Sequence, residues 1–175
     1  MCLCVSSECA LQSVCLESPV GELQLSGCEK GIHTITINIE TEHRIISDKT
    51  ELKPELQRCV HWLQSYFSSA QSVNSLPLPA LHNPLFQGDS FTAHVLRTLQ
   101  EKVKVGQTIS YKQLSEVAGN PKAIRAVGSA MRRNPIPLIV PCHRVLCSSG
   151  DSGKYMGGRG NHVKLWLLSH EKQKD

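Results

Sequence analysis

The first part of the chain alternates apolar and polar residues in short segments that turn residues separate. A Ser-Pro-Val-Gly segment predicts a turn, with a short strand after it. In the isoleucine-rich segment that follows, the alternation places Ile32 with Thr34 on one face and Ile35 on the other. We therefore predict β structure over residues 16–39 and a loop over the polar, aperiodic residues 40–53.

Helical spacing of apolar residues begins after Pro54, which suits the first position of a helix. Residues 68–88 then collect serine, asparagine and proline, which interrupt both helices and strands. We place a domain boundary at the end of this stretch. It divides the chain into an N-terminal α/β domain, residues 1–87, and a C-terminal, mainly helical domain, residues 88–175.

The C-terminal domain opens with another helical stripe of apolar residues. Asp89 or Ser90 is placed to cap this helix, and Gly106 is placed to end it. Two short helices are predicted next, over 110–118 and 121–133, with a glycine-asparagine turn between them and a proline opening the second. A short helix, a tight turn and a second helix form the pattern of a helix-turn-helix.

The second of these short helices separates apolar from basic residues. Its apolar side carries Ile124, Val127 and Met131. The opposite side carries Lys122, Arg125, Ser129 and Arg132. An amphipathic helix with a solvated basic face is the ordinary explanation of such a pattern. The helix holds no acidic residue and follows a turn of the right kind, so we favour nucleic-acid binding.

A candidate nucleophile follows the second helix. Three prolines within residues 134–141 predict a stiff, extended segment that leads into Cys142 and His143. The thiolate is the nucleophilic form of cysteine, and cationic or hydrogen-bonding neighbours lower the cysteine pKa from about 8.5. A buried structural cysteine beside a satisfied histidine explains the same residues equally well. The last predicted helix carries an apolar stripe with Glu171 at its edge.

Composition narrows the class of protein without identifying it. The 175 residues are 40% hydrophobic and 19% charged, and their net charge is +4. This mildly basic balance allows an anionic partner without requiring one. No apolar run has the length of a membrane span. Eight cysteines without a recognisable secretion signal predict an intracellular chain with reduced thiols.

A second group of cysteine and histidine residues lies in the N-terminal half. Cys9, Cys28, His33 and His82 are enough to form a tetrahedral zinc site. Their spacing is irregular and matches no zinc-finger pattern. From the residues alone, four unrelated side chains are the favoured explanation, and Cys2 or Cys4 could replace Cys9 as a ligand.

Residues 141–145, Pro-Cys-His-Arg-Val, resemble the active-site motif of the O6-alkylguanine-DNA alkyltransferases, the direct-reversal DNA repair proteins, and of their animal members in particular. Other segments resemble further motifs of the family: Ile109-Ser110-Tyr111, Ala118-Gly119-Asn120-Pro121, Arg125-Ala126-Val127-Gly128, Asn134-Pro135, Tyr155-Met156-Gly157-Gly158 and Lys164-Leu165-Trp166-Leu167-Leu168. The specific match spans residues 81–171. The N-terminal half is similar more weakly, through Ser18-Pro19-Val20-Gly21 and Pro79-Ala80-Leu81-His82.

The resemblance implies an α+β fold in which a ribonuclease-H-like α/β domain precedes a helical, winged-helix-like domain. It implies a single-turnover transfer of the alkyl group from O6-alkylguanine in DNA, and less readily from O4-alkylthymine, to Cys142. His143 would deprotonate Cys142 through a water, with Glu171 orienting His143. Tyr111 would donate a hydrogen bond to the leaving guanine, and Asn134 would tie the helix-turn-helix to the site.

The same resemblance implies a protein that binds double-stranded DNA through the minor groove and flips the damaged base into a pocket. Arg125 would take the space of the extruded base. The implied DNA contacts are Thr92, Tyr111, Lys112, Asn120, Arg125 and Ser148. The implied ligands of one structural zinc ion are Cys9, Cys28, His33 and His82. A nuclear location, a monomer and no organic cofactor are also implied, and cooperative binding on DNA is left open.

Three positions depart from the family pattern. Lys112 stands where relatives often have glutamine, and its charge favours a phosphate contact. Met156 stands where animal relatives often have serine, and residues 159–162 lengthen the same loop. The tolerance of the pocket for bulky alkyl groups therefore stays open. Cys147 also matches a family position near the site, where a packing thiol is the favoured interpretation.

Three other functions were weighed against alkyl transfer. A damage sensor would lack the reactive cysteine, and a thiol hydrolase would leave the basic helix without a role. A transcriptional regulator with a helix-turn-helix would bind specific sequences and form no covalent product. Alkyl transfer accounts for all five of the singled-out residues together: Cys142, His143, Tyr111, Arg125 and Glu171.

Overall fold

The computed structural model describes residues 9–39, 51–151 and 153–172. Most of the predicted loop, residues 40–50, and the two alternative thiols, Cys2 and Cys4, lie outside these ranges. Strands β1 (Gln12–Ser18), β2 (Gly21–Cys28) and β3 (Gly31–Asn38) form an antiparallel sheet in the order β1-β2-β3. The predicted β region is confirmed over residues 16–39, and β1 begins earlier than predicted, at Gln12. The Ser-Pro-Val-Gly segment makes the turn between β1 and β2.

The register between β2 and β3 contains a bulge at His33. Ser26 pairs with Thr34 and Gly27 pairs with Ile32, so His33 has no partner across the ladder. The extra residue reverses the alternation. Ile32 is therefore fully buried on the same side as Ile35, and its predicted position on the face of Thr34 is wrong. Simple alternation could not predict this, because it assumes an unbroken ladder.

Helix α1 (Pro54–Ser68) begins at the predicted proline and packs against β2 and β3. Its buried stripe is wider than the sequence indicates, since it contains Trp62 and Tyr66 as well as Leu56, Cys59 and Leu63. Two short 3₁₀ helices, Ala70–Ser75 and Pro84–Phe86, follow in the predicted connection. The buried residues of α1 lie on one side of the helix, as expected of an amphipathic helix.

The connecting segment returns to the sheet at β3. Ile32 donates its N–H to the carbonyl of Ala80, and His82 donates to the carbonyl of Ile32, both at 2.8 Å. Gly31 makes this approach possible: it has a φ of 154°, and a Cβ there would lie 2.6 Å from the Ala80 carbonyl oxygen. The contact brings His82 beside the bulge at His33.

The C-terminal half contains α2 (Phe91–Lys102), β4 (Ile109–Ser110), α3 (Tyr111–Val117), α4 (Ile124–Arg133), β5 (Val145–Leu146) and α5 (Asn161–Lys172). Strands β4 and β5 pair in parallel. Ser90 caps α2 by accepting the N–H of Ala93, which confirms one of the two predicted caps. Helix α2 ends at Lys102, so Gly106 does not terminate it and lies in the turn that follows.

Helix α4 begins at Ile124, three residues later than predicted. Pro121 belongs instead to a turn that Asn120 organises, because the Asn120 carbonyl accepts the N–H of Ala123 and its side chain accepts the N–H of Lys122. Val127 and Met131 are buried as predicted, whereas Ile124 is 41% exposed. Asparagine competes with the helix for its own neighbours, which explains the late start.

Residues 134–141 are not extended throughout, and that prediction is wrong. The segment folds back at Leu138, which has a φ of 73°, and Pro137 forms an isolated bridge with Val140. Asn134 closes the turn, since its Nδ2 donates to the Val140 carbonyl at 2.9 Å and its Oδ1 accepts the N–H of Ile136 at 3.1 Å. Prolines excluded a helix but did not reveal this reversal.

Buried apolar side chains from both halves join in one cluster. The sheet also contacts the later half directly, since Ile35 donates its N–H to the Pro135 carbonyl at 3.0 Å. The division at residues 87 and 88 stays a prediction. Among the described residues, no helix combines the length and the apolar character needed to cross a membrane.

Candidate active site and Cys/His cluster

Cys142 opens a short 3₁₀ helix, Cys142–Arg144, directly after the turn that Asn134 closes. It borders a cavity of about 840 Å³, a size typical of small-molecule sites. Strand β3, helix α4 and the loop before α5 supply the walls, which include Thr34, Thr36, Tyr111, Gly128, Met131, Arg132, Asn134, Pro135, Pro137, Cys147, Lys154, Tyr155, Met156 and Lys164. Cys142 itself is 8% exposed.

The surroundings of Cys142 act on its thiol in opposite directions. Burial raises the pKa of Cys142, while the neighbouring polar side chains of Asn134 and Tyr155 and the positive charge of Lys164 lower it in part. Lys164 is almost fully buried, and its Nζ donates to the Val145 carbonyl at 2.7 Å. The resting thiol is therefore protonated, and a thiolate formed there would have a nearby cation and polar side chains around it.

His143 is fully buried and bonded on one side of its ring. Its Nε2 lies 2.6 Å from Glu171 Oε1, whereas its Nδ1 is buried and has no hydrogen-bond partner within the described residues. Burial lowers the pKa of His143, and the charge of Glu171 opposes that effect. A neutral imidazole next to a carboxylate carries its proton on Nε2, which leaves Nδ1 as an acceptor.

Glu171 is held by more partners than the sequence predicts. Arg144 donates from Nε to Oε2 at 2.9 Å and from Nη2 to Oε1 at 3.0 Å, and Tyr66 donates its hydroxyl to Oε1 at 2.7 Å. Although burial raises the pKa of Glu171, the hydrogen bonds and charges of His143 and Arg144 hold it well below its usual value. The place of Glu171 at the edge of the apolar stripe indicates a partly buried side chain. In the structure it is almost fully buried, with 1% of its surface exposed.

Arg144 and Tyr66 both bond Glu171, and sequence reasoning assigned neither of them to the site. Arg144 lies inside the Pro-Cys-His-Arg-Val motif, and this position is a sequence signal that could have assigned it to the site. It also donates from Nη1 to the Val103 carbonyl at 2.9 Å. Tyr66 gave no such signal, because 105 residues separate it from Glu171 and its spacing shows only a place on the buried side of α1.

Tyr111 is the first residue of α3 and borders the cavity. Burial raises its pKa, and so do the neighbouring thiols of Cys147 and Cys142, in that order. The phenol is therefore protonated and available as a hydrogen-bond donor. The structure thus brings Tyr111 and Asn134 to the same cavity as Cys142, with His143 and Glu171 behind it.

The other predicted DNA contacts lie on the surface. Lys112, Asn120, Arg125 and Ser148 are exposed, and Thr92 is partly buried. Arg125 lies in the first turn of α4, the helix whose later residues Gly128, Met131 and Arg132 border the cavity. An exposed basic side chain at the start of a cavity wall is well placed to reach a bound polyanion.

Cys9, Cys28, His33 and His82 converge, and their ligand atoms all lie within 4.8 Å of one another. Cys28 Sγ lies 3.2 Å from His33 Nε2 and 3.3 Å from His82 Nδ1, and the two nitrogens are 3.1 Å apart. Zinc bonds of about 2.3 Å to sulfur and 2.0–2.1 Å to nitrogen place tetrahedral ligands about 3.3–3.8 Å apart. The residues therefore fit a zinc ion, and the β3 bulge supplies one ligand.

Comparison with known proteins decides the family. The DNA-binding domain of 6-O-methylguanine DNA methyltransferase matches residues 90–173, and the ribonuclease-like domain of the same protein matches residues 14–80. The chain belongs to the 6-O-methylguanine DNA methyltransferase family. The predicted resemblance is confirmed, as are the α+β fold class and the activity of a DNA methyltransferase that acts through a protein cysteine.

Relatives of this methyltransferase family cover nearly the whole chain. The methylated-DNA–protein-cysteine methyltransferase of Homo sapiens is 47% identical over 176 residues, which cover 95% of this chain and 83% of the relative. That of Mus musculus is 46% identical over 186 residues, covering 95% and 84%. Two Mycobacterium tuberculosis structures have TM-scores of 0.70. The O6-methylguanine methyltransferase is 30% identical, with 93% of each chain covered. The OGT in complex with DNA is 31% identical, covering 90% of this chain and 91% of its own.

Proposed function

We propose that Cys142 is the alkyl acceptor of this methyltransferase and that its substrate is O6-alkylguanine in double-stranded DNA, with O4-alkylthymine as a poorer substrate. The observation that supports this most strongly is the hydrogen bond from His143 to Glu171. It leaves His143 Nδ1 without a hydrogen-bond partner among the described residues, on the residue that follows the cavity-lining Cys142 in sequence. The series orders a carboxylate, a neutral base and a nucleophile, as thiol activation requires.

The reaction consists of one displacement at the alkyl carbon. His143 Nδ1 takes the Cys142 proton through a water, and Glu171 stabilises the resulting imidazolium. The sulfur forms a bond to the alkyl carbon while the bond between that carbon and O6 breaks, and its electron pair leaves with the guanine. Tyr111 donates a hydrogen bond to the leaving base. Overall, the thiol proton replaces the alkyl group on guanine.

The product explains why the reaction occurs once. A thioether on Cys142 has no proton to lose and no good leaving group, so nothing in the site regenerates the thiol. Each molecule is therefore consumed by one lesion. The positive charge of Lys164 favours the thiolate, and this attraction is lost when the neutral thioether forms.

Base flipping delivers the lesion, since O6 lies inside the stacked duplex. We propose that α3 and α4 act as a helix-turn-helix in the minor groove, with Arg125 filling the space of the extruded base. Tyr111 would contact the flipped nucleotide from the cavity side. The remaining predicted contacts would hold the phosphate backbone and the groove: Thr92, Lys112, Asn120 and Ser148.

The zinc site has a structural part in this proposal. Cys9, Cys28, His33 and His82 would hold the ion, and such an ion cross-links the folded chain without entering the reaction. Their positions would fasten the N-terminal segment and the connection before α2 to the β3 bulge.

We also propose that the protein is a monomer located in the nucleus, where its substrate lies. Imaging of a fluorescent fusion would check the location, and sedimentation with and without duplex would check the oligomeric state.

The test is a transfer assay on defined duplexes. The protein is incubated with duplex carrying one O6-methylguanine, one O4-methylthymine or no lesion, and its intact mass is followed over time. We expect a gain of one methylene that stops at one per molecule, faster with the guanine lesion. Tight binding of the O6-methylguanine duplex without a mass gain would contradict the proposal and favour a damage sensor.

A further inference from the structure

Tyr66 connects the N-terminal half of the chain to the buried carboxylate behind the candidate nucleophile. It lies near the end of α1, is fully buried, and donates its hydroxyl to Glu171 Oε1 at 2.7 Å. Neither residue belongs to the cavity wall. The hydroxyl therefore reaches the site through its hydrogen bond to Glu171, and it lies outside the wall that a bound base would touch.

Three donors share one oxygen of Glu171. Oε1 accepts from His143 Nε2, Arg144 Nη2 and Tyr66, whereas Oε2 accepts from Arg144 Nε. Every additional donor withdraws electron density from a carboxylate oxygen and makes it a weaker base. The proton between Glu171 and His143 is consequently held on the imidazole. Burial raises the pKa of Tyr66, and the charge of Glu171 raises it further, so the phenol remains a donor.

The tyrosine ring and the backbone around it are fixed by other contacts. Trp62 stacks on the ring at 5.5 Å with an interplanar angle of 5°. His170 Nε2 lies 2.6 Å from the Tyr66 carbonyl oxygen, and Gln71 Nε2 donates to the Glu171 carbonyl at 3.1 Å. These contacts join the end of α1 and the following 3₁₀ helix, Ala70–Ser75, to the end of α5 independently of the hydroxyl. Removal of the hydroxyl alone should therefore leave the packing in place.

We propose that Tyr66 is a positioning residue for alkyl transfer, whose hydroxyl sets the orientation and the basicity of Glu171 and thereby the proton affinity of His143. This inference rests on the proposed function of Cys142. It gives the N-terminal half a direct part in the reaction, in addition to its part in the fold. The hydroxyl keeps Glu171 from stabilising the imidazolium too strongly.

The sign of the effect follows from the number of donors. Without the hydroxyl, Oε1 is more basic and stabilises the His143 imidazolium better, so the pKa of His143 rises and the midpoint of the acid side of the pH–rate profile moves to higher pH. A lost hydrogen bond of ordinary strength corresponds to about half a pH unit. The plateau rate falls about fivefold, because the carboxylate and the imidazole lose part of their fixed geometry.

The experiment compares Tyr66→Phe with Trp62→Phe and the unchanged protein. Trp62 supplies the matched control: it packs on the same ring, and its Nε1 has no hydrogen-bond partner within the described residues. Single-turnover transfer from an O6-methylguanine duplex is measured at saturating protein across pH, together with duplex affinity and melting temperature. Trp62→Phe should lower the melting temperature and leave the pH midpoint unchanged.

The expected result is a pH midpoint that moves up in Tyr66→Phe alone, with duplex affinity kept. An unchanged midpoint and rate in Tyr66→Phe would overturn the inference. Equal shifts in both variants, or a loss of duplex affinity in step with transfer, would also overturn it, because either result assigns the effect to packing. Failure of the unchanged protein to transfer a methyl group would instead contradict the proposed function.

Discussion

Two regions of this molecule bring cysteine and histidine side chains together, and their geometry suits two different kinds of chemistry. In the N-terminal half, the sulfur and nitrogen atoms of four side chains point to one centre and come as close as 3.1 Å. Around Cys142, the adjacent imidazole directs Nε2 to a carboxylate, 2.6 Å away. A thiol beside other ligands is suited to bind metal, whereas a thiol beside a base that a carboxylate orients is suited to react.

The neighbours that create this difference come from distant parts of the sequence. The site behind Cys142 contains Glu171 from the last helix and Tyr66 from the first. It also contains Arg144, which belongs to the same motif as Cys142. The Cys/His cluster needs a strand bulge at His33 and the return of the chain at His82. The side chains alone are ambiguous, and the fold decides their chemistry.

The largest predicted effect separates the two groups of thiols. Cys142→Ser should abolish methyl transfer and leave duplex affinity nearly unchanged, because a serine hydroxyl is not deprotonated there at neutral pH. Cys28→Ser alters the cluster and not the nucleophile. At temperatures below its melting temperature, this variant should therefore transfer the methyl group at the unchanged rate. Mass measurement and duplex titration check both variants. Equal loss of transfer in the two would erase the distinction between the regions.

Glu171→Gln should lower the transfer rate by about 10²-fold or more, since an amide neither fixes the imidazole tautomer nor stabilises the imidazolium. It should also cost about 3–5 kcal/mol of unfolding free energy, because Arg144 loses its buried partner. Single-turnover kinetics and denaturant unfolding measure the two effects. Glu101→Gln, at an exposed position on α2, is the control and should change neither.

The pH dependence of transfer is the third prediction. The reacting base is neutral His143, whose pKa burial lowers. The midpoint of the acid side of the pH–rate profile should therefore lie below the usual histidine pKa of about 6.5. At pH values below that midpoint, the rate should fall about tenfold for each pH unit. Single-turnover rates across the acid range, at pH values where the protein stays folded, check it. A midpoint above the usual value would mean that the site stabilises the imidazolium instead.

Metal removal should affect stability more than chemistry. A chelator should lower the melting temperature of the zinc-loaded protein by roughly 5–10 °C, because an ion bound only by the folded chain stabilises it. The transfer rate well below the melting temperature should stay nearly constant. Cys28→Ser should melt at the lower temperature with or without chelator. A transfer rate that falls in proportion to zinc loss would place the metal in the reaction.

Sequence reasoning was most successful where chemistry is local. The sequence predicts the cap of α2 as one of two neighbouring residues, of which Ser90 is the one observed, and it predicts Pro54 as the start of α1, because each signal depends on its immediate neighbours. The motif around Cys142 and the residues that resemblance assigned to it meet at one cavity or directly behind it. The individual roles of these residues stay predictions.

The misses share a physical cause, namely contacts that periodicity does not encode. The bulge at His33 reverses the face of Ile32, and the side chain of Asn134 folds a proline-rich segment that was predicted to be extended. Asn120 delays the start of α4 in a similar way. Tyr66 shows the limit most clearly, since a helical stripe identifies it as buried without naming Glu171 as its partner.

Site-resolved mass spectrometry would test the central claim most directly. The zinc-loaded protein is reacted to completion with O6-methylguanine duplex, and the methyl group is mapped among its cysteine peptides. The structure predicts that all of the label lies on Cys142, at one methyl group per molecule, with Cys9 and Cys28 unmodified. Label on Cys28 or Cys9, or spread over several thiols, would contradict the claim that the histidine and carboxylate behind Cys142 make it the reactive residue.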